Sequence, residues 1–110
     1  METLNFDEIY ENAIKEGIKT STIRAHCNLK VGDRVRARTK GRERPNKKFG
    51  EIIIVGIKRI RFDEIDKEIA RTEGYLHEDI AKTMLKQYYM LEDSSLLYYV
   101  TFEYMGESVE

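Results

Sequence analysis

The stretch from Phe49 to Phe62 constrains the fold of this chain more than any other part of the sequence. It is long and rich in β-branched residues, and the four positions from Ile52 to Val55 are all apolar. Such a run is typical of a central strand that is buried on both faces of a sheet. Gly56 interrupts the run and predicts a bulge or a sharp bend. The chain is therefore expected to build a sheet around this strand.

Two further segments predict strands. In Arg34 to Thr39 apolar residues alternate with arginines. In Leu96 to Met105 every second residue from Tyr98 to Tyr104 is large and apolar or aromatic, which places these side chains on one face. Helical spacing predicts three helices, one from an N-cap at Asn5 to Gly17, one over Asp63 to Thr72 with Asp63 as its cap, and one over His77 to Tyr89. The strands have too few helices between them for a parallel doubly wound sheet. The sequence therefore predicts an α+β protein, a small mixed or antiparallel β-barrel with about three helices packed on it.

Composition limits the class of protein. A chain of 110 residues that is 41% hydrophobic and 35% charged predicts one globular domain spanning residues 1–110. No apolar run approaches the ~20 residues of a membrane span. The N-terminus is acidic and lacks the basic start and apolar middle of a signal peptide, and the single Cys27 excludes an internal disulfide. These features predict a cytoplasmic protein that does not bind membranes.

Charge is divided unevenly along the chain. Residues 24–61 carry a balance of +10, whereas the remaining residues carry −11. One interpretation is a positive face that contacts phosphates, with acidic helices that can bind a protein partner. The other is a solvated strand face with balancing charge packed beside it. The phosphate-binding candidates are Arg34, Arg36, Arg38, Arg42, Arg44, Lys47 and Lys48.

The segment that follows Gly17 contains the most reactive cluster of side chains. If Ser21 to Arg24 is extended, Thr20, Thr22 and Arg24 share one face. Arg24 can hold an anion, Thr22 can attack or donate a hydrogen bond, and Lys19 can act as a base or a cation. These residue types predict a site rather than a simple turn.

This segment and four later features resemble the ASCH domain family. The resemblance rests on Gly17-x-Lys19-x-x-Thr22-x-Arg24, on Gly32-Asp33, on the Ile-rich strand, on Glu73-Gly74 after a short helix, and on the last strand with Tyr98, Val100 and Phe102. It extends from about Phe6 to Tyr104. The resemblance implies a PUA-like β-barrel and a role in RNA binding or RNA-linked regulation.

Many ASCH domains have Glu where Thr22 stands here. Threonine at this position is similar to the subset that includes small bacterial amidohydrolases of N(4)-acetylcytidine. This resemblance implies catalytic roles for Lys19, Thr22 and Glu73, and it matches Arg24 to the arginine of the motif. The chain departs from those enzymes in its basic loop at residues 40–48.

Two functions remain open at this point. The first is binding of RNA or a nucleotide in a cleft formed by Lys19, Thr22, Arg24 and Glu73, with Thr20 and Tyr75 as further binding residues. The second is removal of the acyl group of N(4)-acetylcytidine, with Thr22 as nucleophile. A third, structural interpretation makes Lys19 and Glu73 a salt bridge. Two His and one Cys without ligand spacing predict no metal site, and no cofactor is expected.

Overall fold

The computed structural model describes residues 1–107 and shows an α+β architecture. The strands are β1 (Glu2–Asp7), β2 (Ser21–Arg24), β3 (Arg34–Lys40), β4 (Lys48–Arg61) and β5 (Leu96–Gly106). The helices are α1 (Glu11–Lys15), α2 (Lys67–Thr72) and α3 (Glu78–Tyr88), with short 3-10 turns at Glu8–Tyr10 and Phe62–Glu64. No helix in this part of the chain is long and apolar enough to cross a membrane.

The five strands form one mixed sheet in the order β1-β3-β4-β5-β2. Only the pairing of β1 with β3 is parallel, and the other three pairings are antiparallel. The prediction of a closed barrel is not confirmed, because β1 and β2 lie at the two ends of this order. A side chain bridges these edges instead, since Arg24 Nη2 on β2 donates to Asn5 O on β1 at 2.8 Å.

The bulge predicted at Gly56 is confirmed and divides the core in two. The register of β4 on β5 shifts between Ile54 and Gly56. Because side chains alternate along a strand, Ile54 and Ile60 would otherwise share a face. With the shift, Ile54 packs in a core with Phe6 and Ile14, and Ile60 packs in a second core with residues of α2 and α3.

The prediction that residues 52–55 are buried on both faces is only half right. Ile52 and Ile54 are fully buried, but the side chain of Val55 is 47% exposed. In this part of β4 one face of the sheet therefore reaches solvent. The β-branched composition correctly indicated a strand, but it did not distinguish one buried face from two.

The prediction of a helix from Asn5 is wrong in its first part. Asn5 lies in β1, which pairs with β3 over six residues. Asp7, two residues later, caps the 3-10 turn at Glu8–Tyr10 by accepting a hydrogen bond from the amide of Ile9. Burial of Phe6 on the sheet favours the strand over the helical spacing that also fits this segment.

The second helix also begins later than predicted. Asp66 caps α2 by accepting from the amide of Ile69 at 2.9 Å, whereas Asp63 lies in a 3-10 turn. The end of α2 at Thr72 is as predicted, so Glu73 follows its last turn. The third helix is confirmed within one residue at each end.

Candidate functional site

A cavity of about 330 Å³ brings together residues that are far apart in the sequence. Lys19, Thr22, Arg24 and Glu73 all line it, and Tyr75 lines it as well. A volume of this size is within the range of small-molecule sites. The structure therefore assembles the four residues of the predicted cleft around one space.

The end of α1 places Lys19 at this cavity. Gly17 has a positive φ of 76°, and its amide donates to Ile14 O at 3.2 Å. The amide of Ile18 donates to Ala13 O at 2.9 Å, which completes the hydrogen-bond pair of a Schellman helix end. Since glycine adopts a positive φ without steric cost, this motif fixes the direction in which the chain leaves the helix.

Lys19 and Glu73 form a buried pair at the base of the cavity. The two residues are only 4% and 5% exposed. Lys19 Nζ donates to Glu73 O at 3.2 Å and lies 3.6 Å from Glu73 Oε1. The ammonium also lies 4.9 Å from the centre of the Tyr10 ring, within range of a cation–π interaction. The salt bridge left open by the sequence is therefore present, and it faces the cavity.

Burial lowers the pKa of Lys19 below its ordinary value. The nearby charge of Arg24 acts in the same direction, whereas the carboxylate of Glu73 partly opposes the shift. Desolvation disfavours the ammonium form of a buried lysine. Lys19 is thus closer to acting as a base than an exposed lysine would be.

Ser21 holds the carboxylate of Glu73 from behind. This serine is fully buried and donates a hydrogen bond to Glu73 Oε2. Thr72 Oγ1 lies 2.8 Å from Ser21 Oγ and 2.6 Å from Tyr99 Oη. Because a carboxylate only accepts, Ser21 donates its one hydroxyl hydrogen to Glu73, whereas Thr72 Oγ1 donates to Ile69 O at 2.8 Å and can accept from Tyr99. The hydrogen bond from Ser21 fixes the orientation of the carboxylate.

Thr22 is coupled to Arg24 rather than to Lys19. Arg24 Nε donates to Thr22 Oγ1 at 2.9 Å, and the guanidinium lies 5.1 Å from the centre of the Phe6 ring. No hydrogen bond joins Thr22 Oγ1 to Lys19 Nζ within residues 1–107. The predicted shared face of Thr22 and Arg24 is confirmed, and the guanidinium is held at the wall of the cavity.

Tyrosines form much of the opposite wall. The hydroxyls of Tyr10 and Tyr75 are hydrogen bonded, and their rings meet edge to face with centres 6.1 Å apart. Tyr88 donates to Asp7 Oδ2 at 3.2 Å. Burial is the main cause that raises the pKa of all three tyrosines, and it raises that of Tyr88 to about 12. These phenols are therefore neutral hydrogen-bonding groups at physiological pH.

Thr20 does not reach the cavity with its side chain. Its backbone connects β2 to the rest of the protein, since its amide donates to Thr72 O at 2.8 Å and its carbonyl accepts from Phe102 N at 2.9 Å. These bonds bring the end of α2 beside β2. Thr20 thus contributes to the site through its backbone.

The basic candidates lie outside the cavity, and most already have partners within the chain. Arg34 and Lys48 pair with Glu51 at 3.3 and 3.5 Å, and Arg44 pairs with Glu11 at 2.6 Å. Arg38 donates to Asn46, and Arg36 donates to Met1 O. The charge division along the sequence is therefore partly cancelled in space. The alternation in β3 is confirmed, because Val35, Ala37 and Thr39 are buried between these arginines.

The start of the basic loop does reach the cavity, through Lys40 and Gly41. Glu8 Oε1 accepts from the amide of Glu43 at 3.0 Å, and a Cβ on Gly41 would lie 1.7 Å from the same oxygen. A larger residue than glycine would thus displace the side chain that anchors the loop. Lys40 adds a third cation to the lining of the cavity.

Sequence reasoning missed several residues of this site. No role at the site was predicted from the sequence for Ser21, Lys40, Asp7 or Tyr10. Alternation along β2 could have indicated Ser21, because the side chain of Ser21 points away from that of Thr22 and toward the rest of the protein. No group of His, Cys, Asp and Glu within residues 1–107 is arranged to hold a metal ion.

Comparison with known proteins supports the fold. No protein-family model and no curated protein sequence matches this chain. A structure of an Enterococcus faecalis V583 protein described as DUF984 is 13% identical, with a TM-score of 0.76 over 96% of this chain and 77% of the other. An ASCH domain from Lactobacillus crispatus JV V101 is 10% identical, with a TM-score of 0.74 over 96% of this chain and 81% of the other.

A third structure, the hypothetical protein PH0355, is 20% identical, with a TM-score of 0.68 over 96% of this chain and 100% of the other. Identities this low establish shared architecture rather than shared activity. The likeness covers nearly the whole chain in all three comparisons. The chain thus has the fold of an ASCH-type domain.

Proposed function

We propose that this protein binds a nucleotide or an exposed base of single-stranded RNA in the cavity at Lys19. The observation that carries the proposal is that tyrosine rings line the same small space as the buried Lys19 and the partly buried Arg24. Aromatic faces stack on nucleobases, and cations and phenols can hydrogen bond to the oxygens and nitrogens at the base edge. Single-stranded segments are favoured because their bases are accessible.

The cations near the cavity support contacts to phosphates. Lys40 lines the cavity, and Arg42 and Lys47 are exposed in the loop that follows it. Arg34, Arg44 and Lys48 would have to exchange their carboxylate partners for phosphate. We therefore assign the phosphate contacts chiefly to the loop at residues 40–48. Binding through phosphates should weaken as salt concentration rises.

Replacement of Tyr75 tests the role of the aromatic wall. Tyr75→Ala should weaken the binding of cytidine about 10- to 100-fold, because stacking on an aromatic ring contributes about 1–3 kcal/mol per base. Tyr75→Phe keeps the ring and should retain most of the affinity. Isothermal titration calorimetry of both variants with cytidine and with N(4)-acetylcytidine provides the measurement.

Two results would count against the binding proposal. One is that neither cytidine nor N(4)-acetylcytidine binds to the protein at millimolar concentration. The other is an equal loss of affinity in the two variants, which would assign the effect to the hydroxyl rather than to the ring. Circular dichroism should verify that both variants are folded.

A second candidate function is amide hydrolysis, which the burial of the Lys19–Glu73 pair favours. Burial lowers the pKa of Lys19, so its amine is closer to accepting a proton from a hydroxyl group than an exposed lysine would be. The carboxyl group of Glu73 lies 3.6 Å from this amine. Acyl transfer requires a base that accepts a proton from the nucleophile and a group that delivers a proton to the leaving amine.

In this reaction Thr22 Oγ1 attacks the acetyl carbonyl carbon of N(4)-acetylcytidine and Lys19 Nζ accepts the hydroxyl proton. Arg24 stabilises the oxyanion that forms. The C–N bond then breaks, and Glu73, whose Oε1 lies 3.6 Å from Lys19 Nζ, passes the proton that Lys19 accepted to the departing N4 amine, so that cytidine leaves. Water hydrolyses the threonine ester, releasing acetate and restoring the pair. Thr22 must approach Lys19 when substrate binds, because Arg24 is the partner of its hydroxyl in the structure.

Replacement of Thr22 tests the hydrolytic candidate. Thr22→Val removes the hydroxyl with little change in shape and should reduce cytidine release about a thousandfold or more, whereas Thr22→Ser should keep part of the activity. Thr83→Val, on the exposed side of α3, is the matched control. The wild-type rate should rise with pH until the lowered pKa of Lys19 is passed, since only the neutral amine accepts a proton.

Cytidine release is followed by chromatography under identical protein concentrations. Unchanged turnover in Thr22→Val would exclude this threonine as nucleophile. If the wild-type protein releases no cytidine but binds the nucleoside, the binding proposal stands alone.

A further inference from the structure

A second groove adjoins the cavity and shares part of its wall. It is open and has a volume of about 740 Å³, and both spaces are lined by Tyr88 and Tyr89 at the end of α3. The groove continues past the end of β2, where Ala25 and His26 follow the site arginine Arg24. A ligand that fills the cavity can therefore extend into the groove around these two tyrosines.

The register of the sheet aligns the groove with the site. Tyr98 on β5 is the direct partner of Arg24 on β2 and also of Arg59 on β4. Directly opposed residues of neighbouring strands share one face of a sheet. The guanidinium of Arg59 lies 4.3 Å from the centre of the Tyr98 ring. One row of side chains thus crosses three neighbouring strands, from Arg24 through Tyr98 to Arg59.

The lining of the groove combines cationic and apolar groups. Arg59 and His26 supply the polar nitrogen atoms, and no Asp or Glu is among the lining residues that the structure describes. Met90, which is fully exposed, and Leu96, which is also exposed, are among its apolar lining residues. A guanidinium plane over a ring is a platform on which a nucleobase can stack, and the positive charge suits a phosphate.

We propose that this groove holds the nucleotide adjacent to the one in the cavity, so that the preferred ligand is a single-stranded oligonucleotide. The inference rests on the proposed nucleotide binding by the cavity. In this arrangement one base lies against the tyrosine wall, the chain passes Tyr88 and Tyr89, and the neighbouring base stacks on Arg59. Arg59 and Tyr98 are then binding residues that distinguish a strand from an isolated nucleoside.

The test compares cytidine with the trinucleotide UpCpU by fluorescence or calorimetric titration. The wild-type protein should bind UpCpU about tenfold or more tightly than cytidine, which corresponds to one additional stacked base. Arg59→Gln should remove most of this advantage while leaving the affinity for cytidine within about twofold. Arg71→Gln removes a charge from the exposed side of α2 and should leave both affinities as they are.

Tyr98→Leu is a second variant that keeps the apolar part of this half-buried side chain, and it should also reduce the advantage of UpCpU. Equal binding of cytidine and UpCpU by the wild-type protein would overturn the inference and leave the cavity proposal intact. Binding of neither ligand would overturn both. A dimer in sedimentation that Met90→Lys dissolves, with no advantage for UpCpU, would assign the groove to a second copy of this chain.

Discussion

Glu73→Leu is expected to lower the free energy of unfolding by about 3–5 kcal/mol, the usual cost of breaking a buried ion pair from one side. Glu73 and Lys19 are both almost completely buried, so the remaining ammonium would have no carboxylate beside it. Ser21 would lose the acceptor of its hydrogen bond in the same buried region. The two losses act on neighbouring groups and should not be counted as independent.

Urea denaturation followed by circular dichroism measures this effect, and the double variant Lys19→Met/Glu73→Leu separates its causes. Removing both charges should restore much of the lost stability, because well-packed apolar residues can often replace a buried ion pair without lowering the free energy of unfolding. Glu68→Leu, which removes an exposed partner of Arg71, is a matched control that should change stability little. Equal stability of Glu73→Leu and wild type would contradict the prediction, as would a double variant no more stable than the single one.

The half of the site that follows α1 could be predicted from sequence because local rules determine it. Gly17 marks the helix end, and alternation along β2 places Thr22 and Arg24 on one face. Glu73 came only from the family resemblance, since nothing local connects the end of α2 with Lys19. The contact depends on two long-range bonds, the amide of Thr20 to Thr72 O and the hydroxyl of Ser21 to Glu73.

The charge pattern illustrates a different limit. The sequence separates basic and acidic residues clearly, but Arg44 and Lys15 both pair with Glu11. Segregation along a chain therefore does not establish segregation on the surface. A linear count of charge cannot include the pair of Arg44 with Glu11, because it forms only when the loop at residues 40–48 packs against α1. The exposed residues of that loop can form the positive face that the sequence predicts, but the seven candidates together cannot.

The fold class and most of the helices and strands were predicted from the sequence. The N-terminal strand was not predicted, and the predicted closure of the sheet into a barrel is not confirmed. Helical spacing and strand alternation both fit the residues around Phe6, and only the parallel pairing with β3 decides between them. That pairing brings β1 to the edge of the sheet. Sequence periodicity contains no information about how closely the edges β1 and β2 approach each other.

Arg24 connects these two edges and also belongs to the candidate site. Its guanidinium donates to Asn5 O on β1, its Nε donates to Thr22 on its own strand, and its face lies against Phe6. The position of β1 and the geometry of the cavity wall therefore depend on the same side chain. Binding of an anionic or carbonyl oxygen at this guanidinium would be coupled to order in β1.

Arg24→Met should lower the free energy of unfolding by about 2–3 kcal/mol, since two hydrogen bonds from a charged donor are lost. Hydrogen exchange measured by mass spectrometry should show faster exchange in β1, with little change in the central strand β4. The affinity for cytidine should fall about tenfold, the effect of about 1.4 kcal/mol in binding free energy. Arg24→Lys keeps the charge but lacks the planar pair of donors, so it should restore binding in part and leave β1 exchanging rapidly. Unchanged exchange in β1 of Arg24→Met would show that the sheet edge is held by its pairing with β3 alone, and would separate the role of this arginine in the site from any role in the fold.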